Sequence, residues 1–172
     1  AMGGAERQME TLSLALSQRG ERVTLLLPRL RREYPAGPGD YRGLRLFRIG
    51  YPAFRLFGRM VLMVRLSLLL FRWRREYDAI HVHIAHHMGA VAALMGRALG
   101  KPVVLKFSGW WEAERGSLRP QGLGPRLSRL LLRQASAVQA ISTRIGRDVE
   151  GYGFQPRRGH WLPNAVTPQR FL

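Results

Sequence analysis

The sequence predicts an α/β fold, with a Rossmann-like, doubly wound parallel sheet covered by helices on both faces. Segments with the hydrophobic period of a helix alternate along the chain with short strand-like segments. Several of those strands are apolar throughout, as strands buried on both faces are. With 172 residues, the chain has the length of one domain with a sizeable core. In such a fold, chemistry is expected where the carboxyl ends of the strands meet a crevice.

The order of the elements follows from hydrophobic period and from the residues that interrupt it. Helices are predicted where apolar residues recur every three or four positions, with Gly20 and Gly100 ending two of them and Ser142 capping the last. Strands are predicted at short β-branched or alternating runs, and loops at clusters of glycine and proline. The predicted elements are helix 6–19, strand 23–27, loop 35–41, edge strand 44–49, helix 54–75, strand 79–82, helix 88–99, strand 103–107, loop 118–125, helix 126–134, strand 137–141, helix 143–151 and strand 161–162.

Composition limits the function classes. The chain has no cysteine, which excludes disulfides, thiolate metal sites and a thiol nucleophile. Its formal net charge is +17, and 26 of its 28 basic residues are arginine. Such a charge attracts nucleic acid, anionic membranes or phosphorylated substrates, although a genomic preference for arginine explains it equally well. No segment approaches the roughly 20 apolar residues of a membrane span, and none resembles a secretory signal, so we expect a cytoplasmic protein.

The first candidate site is the glycine pair Gly3-Gly4 at the start of the first predicted helix. Glycines there let backbone N–H groups approach an anion, and the positive end of the helix dipole favours phosphate. A plain turn is the alternative interpretation. A helix that opens this way without a preceding strand also suggests that the natural first strand is missing from the chain.

The second candidate is a histidine-rich segment at the end of the strand 79–82. His81 and His83 are two residues apart and therefore project to one face of that strand, and His86 and His87 follow in the next turn. We expect His81 to be a packed core residue and His83 to face a ligand. The run is similar to the His-x-His-x-Asp-His ligands of metallo-β-lactamase-like hydrolases, but Ala85 replaces the carboxylate, so no metal site is predicted.

The third candidate is the exit from the strand 103–107. Ser108 follows the strand, and Gly109 permits a sharp exit that brings the backbone close to a ligand. No Gly-x-Ser-x-Gly elbow surrounds the serine, which disfavours a serine hydrolase. Trp110 and Trp111 form either a stacking surface for a sugar or a hydrophobic lid.

In their order and spacing, six segments of the chain resemble the N-terminal domain of family 4 glycosyltransferases, which have the GT-B fold. These segments are Gly-Gly-Ala-Glu-Arg at 3–7, Leu-Ser-Gln-Arg-Gly-Glu-Arg-Val-Thr-Leu-Leu at 16–26, Tyr-Asp-Ala-Ile-His-Val-His at 77–83, Gly-Lys-Pro-Val-Val-Leu-Lys at 100–106, Ala-Ser-Ala-Val-Gln-Ala-Ile-Ser at 135–142 and Leu-Pro-Asn-Ala-Val-Thr-Pro-Gln-Arg-Phe at 162–171. The resemblance covers nearly the whole chain and is weakest over 34–75.

The resemblance implies an enzyme that transfers a hexose from a nucleotide-sugar donor to a glycan or lipid-linked acceptor, with retention and without a metal or other cofactor. Residues 1–172 would be the acceptor-side domain. The donor would bind mainly to a C-terminal domain with an acidic Glu-x7-Glu motif, which this sequence does not contain. We therefore expect a fragment of a two-domain enzyme, inactive by itself.

Site residues carried over from the resemblance join those found above. Gly3 and Gly4 would lie near the donor phosphates, His83 and Ser108 are the predicted catalytic residues, and Asn164 would mark the hinge. The predicted acceptor-binding residues are His86, His87, Lys106, Gly109 and Trp110. The family often has histidine where this chain has Ser108, and Gly and Asp where it has Ala165 and Thr167, so a simple transfer of those roles is in doubt.

The predicted helix 54–75 has six arginines and no acid among many apolar residues. Such a helix either lies in an anionic membrane interface or covers the core with its arginines in water. Two other function classes stay open. A basic nucleic-acid-binding module would use the net charge, although no DNA- or RNA-binding motif is present and the arginines are dispersed. A metal-dependent hydrolase would use the histidine segment and would contain stoichiometric zinc.

Overall fold

The computed structural model describes residues 4–31, 33–107, 123–151, 153–154 and 159–164. The chain divides into two compact units, Ala1–Leu69 and Leu70–Leu172, which are considered separately. Within the described residues the elements are α1 (Gly4–Gln18), β1 (Thr24–Pro28), β2 (Gly37–Tyr41), β3 (Leu44–Ile49), α2 (Arg55–Arg72), β4 (Ile80–Val82), α3 (His87–Leu99), β5 (Val103–Phe107), α4 (Leu123–Leu132), β6 (Ala137–Ala140), α5 (Thr143–Gly151) and β7 (Gly159–Trp161).

The first unit contains a three-stranded sheet in the order β1-β3-β2, in which β1 and β3 are parallel. Leu25, Leu44 and Leu46 form its buried core, against which Met9 and Leu14 of α1 pack. The alternating pattern of β3 is therefore confirmed as a strand. Its predicted edge position is wrong, because β3 has a neighbour on each side.

The second neighbour of β3 is β2, which lies within the segment predicted as a loop. Gly37–Tyr41 pairs antiparallel with β3. The connecting residues Arg42 and Gly43 both have positive φ, 54° and 80°, as two-residue hairpin turns of type I′ require. Glycine and proline hide this strand in the sequence, yet Pro38 is tolerated because β2 is at the edge of its sheet. The prediction of a loop over 35–41 is thus wrong, because Gly37–Tyr41 is a strand.

A buried carboxylate joins α1 to this hairpin. The Glu10 side chain is only 7% exposed. It accepts a hydrogen bond from the Tyr41 hydroxyl at 3.1 Å and one from the Arg42 guanidinium at 2.8 Å. Charge-assisted hydrogen bonds of this kind compensate the cost of burying the carboxylate. The ion pair therefore fixes the hairpin against the helix.

The second unit contains a four-stranded sheet in the order β4-β5-β6-β7, with all neighbours parallel. The hydrophobic core lies between one face of this sheet and the helices α3, α4 and α5. The buried side chains of this core include Leu105, Phe107, Leu132, Val138 and Val149. This unit confirms the predicted α/β class and its parallel sheet.

Close packing of α3 on β5 depends on a glycine. A Cβ added at Gly96 would overlap the Val103 side chain and lie 2.8 Å from the Lys101 carbonyl oxygen. Helix α3 then ends at Gly100, which adopts the left-handed conformation at φ 66°, and the Lys101 N–H donates to the Gly96 carbonyl at 2.8 Å. The predicted helix end at Gly100 is confirmed.

Among the described residues, no helix is both long enough and apolar enough to cross a membrane.

Candidate active site

Two parallel strands bring histidine and lysine together at the carboxyl edge of the second sheet. His81 pairs with Val104 and Val82 with Leu105, so the next step of the register sets His83 beside Lys106. Because side chains alternate along a strand, His81, His83 and Lys106 share the face opposite to the Leu105 core position. We call these three residues the histidine–lysine cluster.

The two histidine rings of the cluster lie against each other. Their centroids are 4.4 Å apart and their planes are tilted by 31°. His83 is half-buried, whereas His81 is exposed. The prediction that His81 is the packed core residue is therefore wrong, since β4 is at the edge of the sheet and His81 is on its polar face.

The histidines that follow the strand also form a pair. The rings of His86 and His87 meet edge to face, with centroids 4.1 Å apart and planes at 79°. His86 is exposed and directly precedes α3, of which His87 is the first residue. The polar end of β4 thus continues into the start of α3.

Burial controls the charge of the cluster. Desolvation, reinforced by the neighbouring His81 and Lys106, lowers the pKa of His83 to about 3. Desolvation also lowers the pKa of His81, with Lys106 as the second cause. Lys106 is 4% exposed, and burial lowers the pKa of its ammonium group. At neutral pH His83 is therefore an uncharged imidazole beside a buried lysine.

An uncharged imidazole offers one N–H donor and one lone pair, and a lysine offers up to three donors. Together these groups suit hydroxyl groups, while the lysine also suits an anion such as phosphate. A general base is most effective with a pKa near the working pH. With its pKa near 3, His83 fits a role in orienting a substrate hydroxyl better than one in removing its proton. Among the residues that the structure describes, no three or more potential metal ligands cluster together.

A second feature of this unit is a cavity of about 300 Å³ between α5 and the strands β6 and β7. Ser142, Thr143, His160 and Trp161 contribute to its lining. The Ile145 N–H donates to the Ser142 hydroxyl at 3.3 Å, which confirms Ser142 as the cap of α5. Sequence reasoning missed this cavity. The only local signal is an aromatic residue in a short terminal strand, Trp161, which is 62% exposed.

A further depression, about 450 Å³, lies at the opposite edge of the sheet. It is open and is lined by residues before β5 and β6, among them Lys101 and Ser136. In open, parallel α/β sheets, ligands bind outside the carboxyl ends of the strands. A depression at the amino ends is therefore a weaker candidate for a ligand site. The histidine–lysine cluster, at the carboxyl edge, is therefore the better candidate site.

The remaining predicted site residues are not all described. Gly3, Ser108, Gly109 and Trp110 lie outside the described residues. Gly4 is the exposed first residue of α1 in the first unit, and Asn164 is exposed after β7 in the second. The structure therefore brings His83 together with Lys106. The predicted shared rim with the glycine pair and Ser108 stays a prediction.

Comparison with known proteins bears on the family and the fold of the chain. Residues 2–170 match the sequence profile of the family described as Glycosyltransferase Family 4. Among solved structures, the chain is similar to Alr3699/HepE of Anabaena, which was crystallised in complex with UDP-glucose, with a TM-score of 0.64 and 16% sequence identity. The similarity covers 98% of this chain but only 42% of the Anabaena protein. No protein of curated function matches the sequence.

Proposed function

The chain belongs to glycosyltransferase family 4. On this premise we propose that it is the acceptor-side domain of a retaining glycosyltransferase. The enzyme would transfer a hexose from a nucleotide-sugar donor to a glycan or lipid-linked acceptor. Its fold is that of the N-terminal half of a GT-B glycosyltransferase. The histidine–lysine cluster at the carboxyl edge of the parallel sheet carries the proposal, because it gathers hydroxyl-binding groups where such sheets bind ligands.

The proposed donor rests on a single solved structure. The Anabaena protein was crystallised with UDP-glucose, and this chain spans 42% of its length. We propose that the nucleotide sugar is a co-substrate bound mainly by a second domain, with Gly3 and Gly4 near its phosphates. No other cofactor is part of the proposed reaction. Asn164 would stand at the hinge between the two domains.

The acceptor would be held by residues of this chain. Neutral His83 is suited to bind a hydroxyl of the reacting sugar or of the acceptor. Lys106, beside it, adds a buried donor whose charge helps to lower the pKa of His83. We propose His83 and Ser108 as catalytic residues, with His86, His87, Gly109 and Trp110 among the acceptor contacts. The enzyme would work on the cytoplasmic side of a membrane.

The test joins this chain to a family 4 C-terminal domain and measures sugar transfer from nucleotide-sugar donors. We expect no turnover by the chain alone and turnover by the joined enzyme. In the joined enzyme, His83→Ala and Ser108→Ala should each lower kcat/KM by at least about tenfold, the loss of one good hydrogen bond to the reacting groups. His160→Ala, at an exposed residue of β7, should have a smaller effect. Equal losses at the three positions would refute the proposed site.

A further inference from the structure

Helix α2 is apolar on two opposite faces. On one face Leu62 and Leu66 are buried, with 7% and 3% of their surfaces exposed. On the other face a row of large apolar side chains points to solvent, each 58–77% exposed. We call this row the outer stripe; it consists of Leu56, Phe57, Met60, Val64 and Leu68.

The outer stripe has the spacing of a docking face. Each member has a neighbour in the stripe three or four residues away, so all five lie on one side of the helix, across about 100° or more of its circumference. Exposed apolar residues scattered singly need no explanation, but five contiguous ones are typical of an interaction surface. The core does not account for this stripe, because α2 already buries its opposite face.

The charge around the outer stripe selects the partner. Residues 54–75 contain six arginines and no acid, and Arg59, Arg65 and Arg72 are exposed on α2. A second copy of this chain would bring one net charge of +17 against another. An anionic lipid surface instead attracts arginine and accepts apolar side chains below the headgroups. Both properties of α2 are thus satisfied by one partner.

We propose that α2 docks parallel to an anionic lipid bilayer, with the outer stripe inserted at the boundary between headgroups and acyl chains. Arg59 and Arg72 then meet lipid phosphates at the headgroup level, whereas the Arg65 guanidinium donates to the Gly50 carbonyl. The inference rests on α2 alone and does not depend on the proposed transferase activity. If the acceptor is lipid-linked, docking also brings it to the enzyme in the plane of the membrane.

The test measures co-sedimentation of the full chain with vesicles. One set contains phosphatidylcholine alone, and the other contains phosphatidylcholine with phosphatidylglycerol. We expect binding to the anionic vesicles to exceed binding to the neutral ones by at least about tenfold at low salt and to weaken at high salt. Equal binding to both vesicle types, or binding to neither, would overturn the proposal.

Variants distinguish binding through the outer stripe from non-specific hydrophobic binding. Phe57→Ser with Val64→Ser and Leu68→Ser should weaken binding to anionic vesicles by at least about 100-fold, since three apolar side chains no longer insert. The matched control is Leu127→Ser with Leu130→Ser, two leucines of α4 that are 57% and 56% exposed, and it should bind like the wild type. Circular dichroism checks that both variants are folded.

Two further measurements complete the test. Arg59→Gln with Arg72→Gln should reduce the preference for anionic over neutral vesicles about threefold or more while leaving the fold unchanged. Size-exclusion chromatography tests the alternative that a second copy of the chain covers the outer stripe. If the wild type is a dimer that the outer-stripe variant converts to monomer, and vesicles bind neither, a second copy covers α2 and the membrane proposal is refuted.

Discussion

Replacing His83 with glutamine should flatten the dependence of stability on pH. In the folded chain the pKa of His83 is lowered to about 3, chiefly by burial, whereas its usual value is 6.5. Between these two pH values the unfolded chain binds a proton at this position and the folded chain does not. The free energy of unfolding therefore rises with pH across this window and is lost as pH falls.

The size of the effect follows from the shift. One proton bound only by the unfolded chain changes the free energy of unfolding by at most about 1.4 kcal/mol per pH unit. Between pH 6 and pH 4 the wild type should therefore lose up to about 2–3 kcal/mol through His83. His81, whose pKa is also lowered, contributes with the same sign and is retained in the variant. Glutamine keeps a donor and an acceptor but does not titrate.

Urea unfolding, followed by circular dichroism at several pH values, measures this slope. We expect His83→Gln to lose stability less steeply than the wild type as pH falls from 6 to 4. The control is His160→Gln at an exposed position of β7, which should keep the wild-type slope. Carboxylates titrate alike in all three proteins, so they cancel in the comparison. A variant slope equal to that of the wild type would show that His83 is protonated normally in the folded chain.

Two further pairs of substitutions, one pair in each unit, test packing by urea unfolding at neutral pH. Gly96→Ala should destabilise the chain by about 1–2 kcal/mol, because overpacking against β5 outweighs the gain of about 1 kcal/mol in helix propensity. Gly124→Ala, where a Cβ meets nothing within 4 Å, should be neutral or stabilising, and an equal effect of both would contradict the close approach of α3. Glu10→Gln should cost about 1–3 kcal/mol through its bond with Arg42. Glu33→Gln, in an ion pair whose side chains are 70% and 59% exposed, should cost less than about 0.5 kcal/mol; similar losses would mean that burial adds nothing to the first pair.

The local sequence was sufficient to predict secondary structure where the hydrophobic period of a segment specifies a helix or a strand. Helices end where glycine adopts the left-handed conformation, as Gly20 and Gly100 do at φ 86° and 66°. Strand β5 lies at 103–107 as its apolar run predicts. The family resemblance was recognisable for the same reason, because it consists of short segments in a fixed order. The position of His83 at the end of β4 also followed from the sequence alone.

Pairing between distant segments could not be predicted in this way. Three of the five residues of β2 are glycine or proline, and the strand forms only because β3 supplies a hydrogen-bonding partner, which in turn makes β3 central. His81 and His83 look alike in the sequence, and their different exposure depends on what packs around the edge of the sheet. The same holds for α2. Its composition is compatible with a core helix and with a membrane helix, and the tertiary structure shows a buried row and an exposed row on opposite faces.

The sequence by itself therefore determined the order of helices and strands apart from β2, the family, and the residue types at the end of β4. Tertiary structure decided which of these residues lose contact with water. That loss sets the pKa of His83, confines Lys106 beside it and leaves the outer stripe exposed. The physical reason is that hydrophobic period and turn chemistry act within a few residues, whereas desolvation depends on side chains that the fold brings from elsewhere in the chain.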